Sequence, residues 1–200
     1  MSAIVEAAEI TEADGIMAYP EGTPYAENKA GTFWPNLNPN AQKAFDAMSD
    51  WVKKENINLD ELSLSALDHK LTIMRYLRAN NFDTKKSTAH IVRNIDWRKK
   101  INVNHIITKR PEDILGYTMA ELTVVFPHWQ YGFDKTGRPV VYKQYGKFDA
   151  TKIKKMSGGN YDKVIEYHVW EQEAVGRLCK EQSLKLGRTI ETTTGTLYGY

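Results

Sequence analysis

Five histidines, at positions 69, 90, 105, 128 and 168, and the single Cys179 are the side chains of this 200-residue chain best suited to metal or nucleophilic chemistry. Their spacing favours neither. A helical zinc pair needs histidines about one turn apart, and a carboxylate-bridged metal site needs Glu-x-x-His repeated. The nearest approach is His168-x-x-Glu171, which occurs once and in reverse order. His168 stands on an apolar helical stripe, where a histidine is most often a satisfied core residue, with a pocket role as the alternative. Cys179 falls on the same stripe and reads as packing rather than as a nucleophile. The sequence has no Gly-x-x-x-x-Gly-Lys phosphate loop, no Gly-x-Gly-x-x-Gly and no Gly-x-Ser-x-Gly elbow. These residues point away from an enzyme, from a resident metal and from any cofactor.

The charges are more informative. The formal net charge is only +2, but residues 1–30 carry six acids and one lysine, whereas residues 70–110 carry eleven Lys/Arg against Asp83 and Asp96. Such a block suits phosphates, of nucleic acid or of a membrane, or it is the solvated side of surface helices. A strand-binding site wants aromatics interleaved with the cations. Between 70 and 110 only Tyr76, Phe82 and Trp97 are present, and Phe82 and Trp97 are expected to pack, so nucleic acid is not the expected partner. One cysteine excludes an internal disulfide, and the N-terminus lacks the pattern of a secretory signal. No apolar run approaches the roughly 20 residues of a membrane-spanning helix. The expectation is a cytoplasmic protein whose membrane contact is peripheral.

The elements that must position these residues begin with an acidic, Pro- and Gly-containing arm over residues 1–37, on which Phe33 and Trp34 are expected to dock. Asn38 or Asn40 caps a helix running through Glu55, with Phe45, Met48 and Val52 at helical spacing. A second helix, from about Leu67 to Asn80, places Leu67, Leu71, Met74 and Leu77 on one face, with Arg78 at its edge. Asn80 or Asn81 ends it, and Asp83 or Thr84 caps the next, which carries Ile91, Val92 and Ile95 to about Ile101. Two short helical turns follow. "DKTG" and Pro139 lead into a strand at Val140–Tyr142, Asn160 caps a long helix to about Leu186, and the chain closes on a second strand near Thr189–Leu197. The long helix is expected to bury Tyr161, Val164, Ile165, His168, Val175 and Cys179. A strand–helix–strand unit of this length suits a parallel α/β sheet.

"IMRYLRANNFDTKKS", then "WRKK", then "DKTGRPVVYKQYG", with Trp170–Glu171 and "IETTTGT" further on, resembles the CRAL-TRIO family of lipid-binding proteins from about residue 65 onward. The resemblance implies an α/β fold, mostly helical as the chain stands. It divides the chain into the arm (1–37), an N-terminal helical unit (38–110) and the first part of a lipid-binding domain (111–200). The family's sheet continues beyond the last strand, so the resemblance also implies an incomplete pocket whose activity needs a missing C-terminal half. By resemblance, hydroxyls near the two strands meet a lipid headgroup. The expected aromatic hydroxyls fall on or beside Gln130 and Val141, with Tyr131 and Tyr142 next door, while Thr193 keeps a hydroxyl where Gly195 has none. Tyr131, Tyr142, His168 and Thr193 are therefore the candidate lipid-binding residues. Two positions often basic in the family are Asn80 and Asn81.

The function implied is non-enzymatic: one phospholipid or similar ligand held in an apolar pocket and carried or presented between membranes. Lys85, Lys86, Lys99 and Lys100 would draw the protein to anionic membranes. The other reading is a non-transferring adaptor or targeting module that binds a protein or an anionic membrane through the basic helical unit.

Overall fold

The computed structural model describes residues 37–62, 69–159, 161–187, 190 and 193–197. The acidic arm with Phe33 and Trp34, Leu67 and the Asn160 cap lie outside the described residues.

Helix α1 (Pro39–Lys54) begins where the capping chemistry says it should. Asn38 accepts a hydrogen bond from the Ala41 amide at 2.8 Å, and proline occupies the first helical position, where no amide is needed. Its buried side presents Ala41, Ala44, Phe45 and Met48. It packs against α2 (His69–Ala79), which buries Ile73, Met74, Tyr76 and Leu77, a wider face than the four-leucine-type stripe of the sequence.

The corner between α2 and α3 (Thr84–Ile101) is tighter than a single left-handed residue. Both Asn81 (φ 52°) and Phe82 (φ 61°) are left-handed, which is uncommon for asparagine and rare for a bulky aromatic. The Phe82 amide bonds the Leu77 carbonyl at 2.8 Å, and Asp83 caps α3 through the Lys86 amide at 2.9 Å. Asn80 fastens the corner: its amide nitrogen donates to the Tyr76 carbonyl at 2.8 Å and lies 3.2 Å from His90 Nδ1. The His90 ring in turn meets the edge of Tyr76. A longer cation at position 80 could not fill this role. Asn80→Ala is expected to lower the stability of the helical unit by about 1–2 kcal/mol, the cost of unmaking such bonds at a half-buried site. Denaturant unfolding checks this, and an unchanged midpoint would show that the corner holds without Asn80.

The described residues form two compact units, one of residues 37–59 and 69–91, the other of residues 60–62 and those from Val92 onward. The reason is packing. Val103 and Ile106 of α4 (Val103–Ile106) share one core with Ile114 and Leu115 of α5 (Pro111–Leu115) and Leu122 and Val125 of α6 (Met119–Val125). Tyr167 and Val169 of the long helix close that core. Val92 and Trp97, expected to pack, are exposed instead. Helix α6 starts with a reciprocal cap, in which the Thr118 amide donates to Glu121 and the Glu121 amide to the Thr118 hydroxyl.

Among the described residues the sheet has three strands, in the order β1 (His128–Phe133), β2 (Pro139–Lys143), β3 (Thr194–Leu197). The strand–helix–strand unit is parallel as expected, with Val141 opposite Gly195. The extra strand is β1, a segment to which the sequence assigned no element. It pairs antiparallel with β2 across the Asp134–Arg138 turn, where Asp134 Oδ1 accepts from the amides of Thr136 and Arg138. Helix α7 (Ala150–Met156), capped by Asp149, covers a segment to which the sequence assigned no element.

Helix α8 (Asp162–Leu186) runs from α7 back toward β3 and buries Tyr167, Val169, Cys179 and Ser183. The expected stripe is corrected in its first half: Tyr161, Ile165 and His168 are exposed. They lie on the same side as Cys179, five, four and three turns before it, but that side is covered only toward the helix C-terminus.

Candidate functional site

Strand β2 alternates Pro139, Val141 and Lys143 toward α8, and the third of these is a lysine. A buried ammonium needs a partner, and α8 supplies one. Lys143 Nζ lies 2.8 Å from Glu171 Oε2, with the two side chains 11% and 12% exposed. His168 Nδ1 approaches the same oxygen at 3.3 Å from the solvent side. Burial alone would push the Glu171 carboxyl up. The hydrogen bonds from His168 and Lys143, with the proximity of Lys143 and His128, outweigh it and hold the group at about 2.

His128, the first residue of β1, completes the network. Its ring stacks on Phe126 and places Nδ1 2.7 Å from the Phe126 carbonyl and Nε2 2.7 Å from the Tyr167 hydroxyl. A carbonyl only accepts, so Nδ1 carries a proton; Nε2 and the Tyr167 hydroxyl share the second hydrogen bond, and that hydroxyl also lies 3.5 Å from Met119 Sδ. Burial, then the Glu171 charge, pushes the Tyr167 phenol above its ordinary value, which keeps it a donor. Glu171 Oε1 is left 3.8 Å from His128 Nε2, beyond hydrogen-bonding range.

Two clefts meet at this pair. One of about 150 Å³, between β1, β2 and α8, is lined by Met119, His128, Trp129, Gln130, Val141, Tyr167, Trp170 and Ala174. The other, of about 190 Å³, between β2, β3 and α8, is lined by Lys143, Gln172, Thr193 and Gly195. Val141, Glu171 and Val175 border both. Gly195 presents no side chain to the second cleft, and a Cβ there would meet nothing within 4 Å. The first cleft is mainly aliphatic and aromatic; the second sets Val141 and Val175 among Gln172, Thr193 and the Lys143 ammonium, and the Glu171 carboxylate borders both. Such a site can hold an apolar chain beside a polar or phosphate-bearing group.

Of the residues singled out in the sequence, the structure places Thr193 in the second cleft and His168 at the solvent side of Glu171, with its side chain 60% exposed. Tyr131 is 76% exposed and lines neither cleft. Tyr142 stacks on Trp129, ring centroids 5.8 Å apart, and also lines neither. It is the cross-strand pair Gln130 and Val141 that faces the cleft. Strand alternation sends their neighbours elsewhere. Lys85, Lys86, Lys99 and Lys100 are exposed on α3, with Lys86 3.3 Å from Asp83 and Lys99 3.9 Å from Glu61. Sequence reasoning missed His128, Lys143 and Tyr167. The signal for Lys143 was available, as a lysine in register with Val141 and Pro139 on an inward face.

Among the described residues no cluster of three or more His, Cys, Asp or Glu side chains is placed to hold a metal ion, and no helix is long and apolar enough to cross a membrane.

A sheet roofed by a long helix, with two clefts beside a buried ion pair, makes an α/β fold with a candidate site for a small ligand. No family model matches the chain. Among curated proteins it is similar to the phosphatidylinositol/phosphatidylcholine transfer protein SFH12 of Arabidopsis thaliana, with 29% identity over 131 residues, 66% of this chain and 22% of the relative. It is 31% identical to SFH9 of the same plant over 117 residues, 58% of this chain and 19% of the relative. It is 24% identical to the SEC14 cytosolic factor of Candida glabrata over 166 residues, 83% of this chain and 50% of the relative. These matches support a CRAL-TRIO family relationship for the chain. The chain spans between about a fifth and a half of the length of these relatives.

Proposed function

We propose that this chain is a non-enzymatic lipid-binding protein whose cleft between β1–β3 and α8 receives part of one phospholipid. The observation that carries the reading is the buried Lys143–Glu171 pair, which lines the second cleft and whose Glu171 also borders the first. Lys143 has donors to offer a phosphate, and Glu171 Oε1 accepts from a headgroup hydroxyl or meets a cationic headgroup. Thr193 and Gln130 add neutral hydrogen-bonding groups on either side. The relatives named as phosphatidylinositol/phosphatidylcholine transfer proteins support the ligand class. In this reading transfer is a property of the whole protein, working in the cytoplasm and meeting membranes peripherally.

Lipid co-purification, measured by native mass spectrometry, tests the reading. One phospholipid per chain supports it. An empty chain favours the second reading, an adaptor acting through the helical unit. A specific feature favours that alternative: a groove of about 640 Å³ along α1 and α2, where Phe45, Val52 and Ile73 lie among Asp46, Asp50, Lys53 and Lys70.

The membrane contact includes the exposed lysines of α3. Replacing Lys85, Lys86, Lys99 and Lys100 with glutamate is expected to weaken binding to anionic vesicles at low salt without unfolding the chain. Each well-placed cation contributes about 1 kcal/mol, and salt screens it. Binding unchanged at low ionic strength would remove these lysines from the docking surface.

A further inference from the structure

The β1–β2 hairpin carries an excess of apolar surface that the cleft does not explain. Trp129, Tyr131 and Phe133 are all exposed on one six-residue strand. The turn that follows lies against the last turn of α8: a Cβ added at Gly137 would collide with the Leu186 side chain and come within 3.7 Å of Gln182 Oε1. Leu186, itself exposed, extends the apolar surface onto the helix. Gln182 and Leu186 share the helix face that meets this turn; the exposed Lys185 lies in the same last turn of α8, and the hairpin turn carries the exposed Lys135.

We propose that this hairpin, with the C-terminal turn of α8, is a docking edge that seats its aromatic side chains in the interface of an anionic bilayer and turns the mouth of the cleft toward the lipid. Three observations select a bilayer as the occupant. Tryptophan and tyrosine, with an apolar body and a polar tip, are the side chains enriched at the headgroup level. The charge is complementary: residues 131–138 and 180–187 hold Lys135, Arg138, Lys180 and Lys185 against Asp134 and Glu181, and Asp134 Oδ1 is turned inward onto the Thr136 and Arg138 amides. The strand edge is unsuited to a protein strand, because its register breaks between Gln130 and Phe133 and Gly132 sits at φ 64°, a bulge that interrupts edge pairing. Trp129 links the edge to function, since it borders the cleft and stacks on Tyr142. This deepens the peripheral-membrane part of the proposed function and rests on it. Vesicle binding and lipid occupancy are therefore measured separately, so that each can fail alone.

The test is co-sedimentation of the full chain with phosphatidylcholine vesicles, with and without phosphatidylserine, together with hydrogen exchange along β1. Tyr131→Ser/Phe133→Ser is expected to lower binding to the anionic vesicles at least tenfold, and Lys135→Ala and Lys185→Ala about fivefold each. Vesicles should slow exchange at 129–135 in the wild type. Tyr131→Ser alone, at an exposed position, keeps the test valid if the double variant folds poorly. Hairpin variants that bind anionic vesicles as the wild type does would overturn the proposal. So would equal binding to vesicles lacking phosphatidylserine, or self-association that the double variant abolishes while vesicle binding persists. Loss of vesicle binding with lipid occupancy unchanged supports the docking edge and leaves the cleft reading intact.

Discussion

Glu171→Leu is expected to destabilise the protein by about 3–5 kcal/mol, because it strands a buried ammonium. Lys143 is 9% exposed, and Glu171 is the carboxylate on it, at 2.8 Å. At this chain length each kcal/mol moves the melting midpoint by about 2–4 °C, so a fall of roughly 10 °C is expected. The double variant Lys143→Met/Glu171→Leu should recover most of that loss, since apolar residues of similar volume often replace a buried pair at no cost. A double variant as unstable as the single one would mean that the pair's geometry is not what stabilises the sheet against α8. The pair also sets an acid limit. The Glu171 carboxyl lies below its unfolded value of about 4.5, at about 2, so it stabilises the fold fully above that higher value. The contribution, about 3 kcal/mol, is lost as pH falls from about 5 toward 2. Glu171→Gln should flatten this part of the pH–stability curve.

Arg98→Ala is the second large expected loss, about 3 kcal/mol by denaturant unfolding. Arg98 Nη1 and Nη2 lie 2.6 Å and 3.1 Å from the two carboxylate oxygens of Glu173, and both side chains are only 14% exposed. A fork-to-fork pair out of solvent leaves Glu173 uncompensated when the arginine is removed. Arg98→Lys keeps the charge and loses the fork, so it should recover only part of the stability. Glu173 stands one turn from Trp170 on α8, and Trp170 is itself tied to the Lys109 carbonyl at 2.9 Å, beside the Lys109–Glu166 ion pair. These contacts fix the helix that forms the roof of the cleft. Equal stability of Arg98→Ala and the wild type would show that the apolar core alone holds α8.

The parts of the fold legible in the sequence were those written in local chemistry. Asn38 before Pro39, Thr118 three residues before Glu121, and Asp134 at the head of its turn each satisfy backbone groups within a few residues. What could not be read depended on partners far along the chain. Strand β1 has Gly132 in its middle and buries only its first residue, so no alternation announces it; pairing with β2 makes it a strand. Helix α7 buries one residue, Ile153, too few for an amphipathic signal. Along α8 the periodicity was correct, but it cannot say where the covering layer ends, so His168 was placed on a buried side that is open at that height. The site follows the same rule. The sequence offered Tyr131 and Tyr142 as candidates, and the structure lines the cleft with their neighbours Gln130 and Val141 instead. No count along the sequence joins Lys143 to Glu171, or His128 to Tyr167 across 39 residues.

Titration of the chain with a short-chain phosphatidylinositol or phosphatidylcholine, kept monomeric and followed at the backbone amides, addresses the lipid-binding cleft most directly. The reading predicts saturable shifts at Gln130, Val141, Val175 and Thr193, where the two clefts meet β1, β2, β3 and α8. Val175→Trp, which fills the border of both clefts, should abolish them while the protein stays folded. Shifts absent from these four positions up to millimolar lipid, or unaffected by Val175→Trp, would contradict a lipid site between the sheet and the long helix.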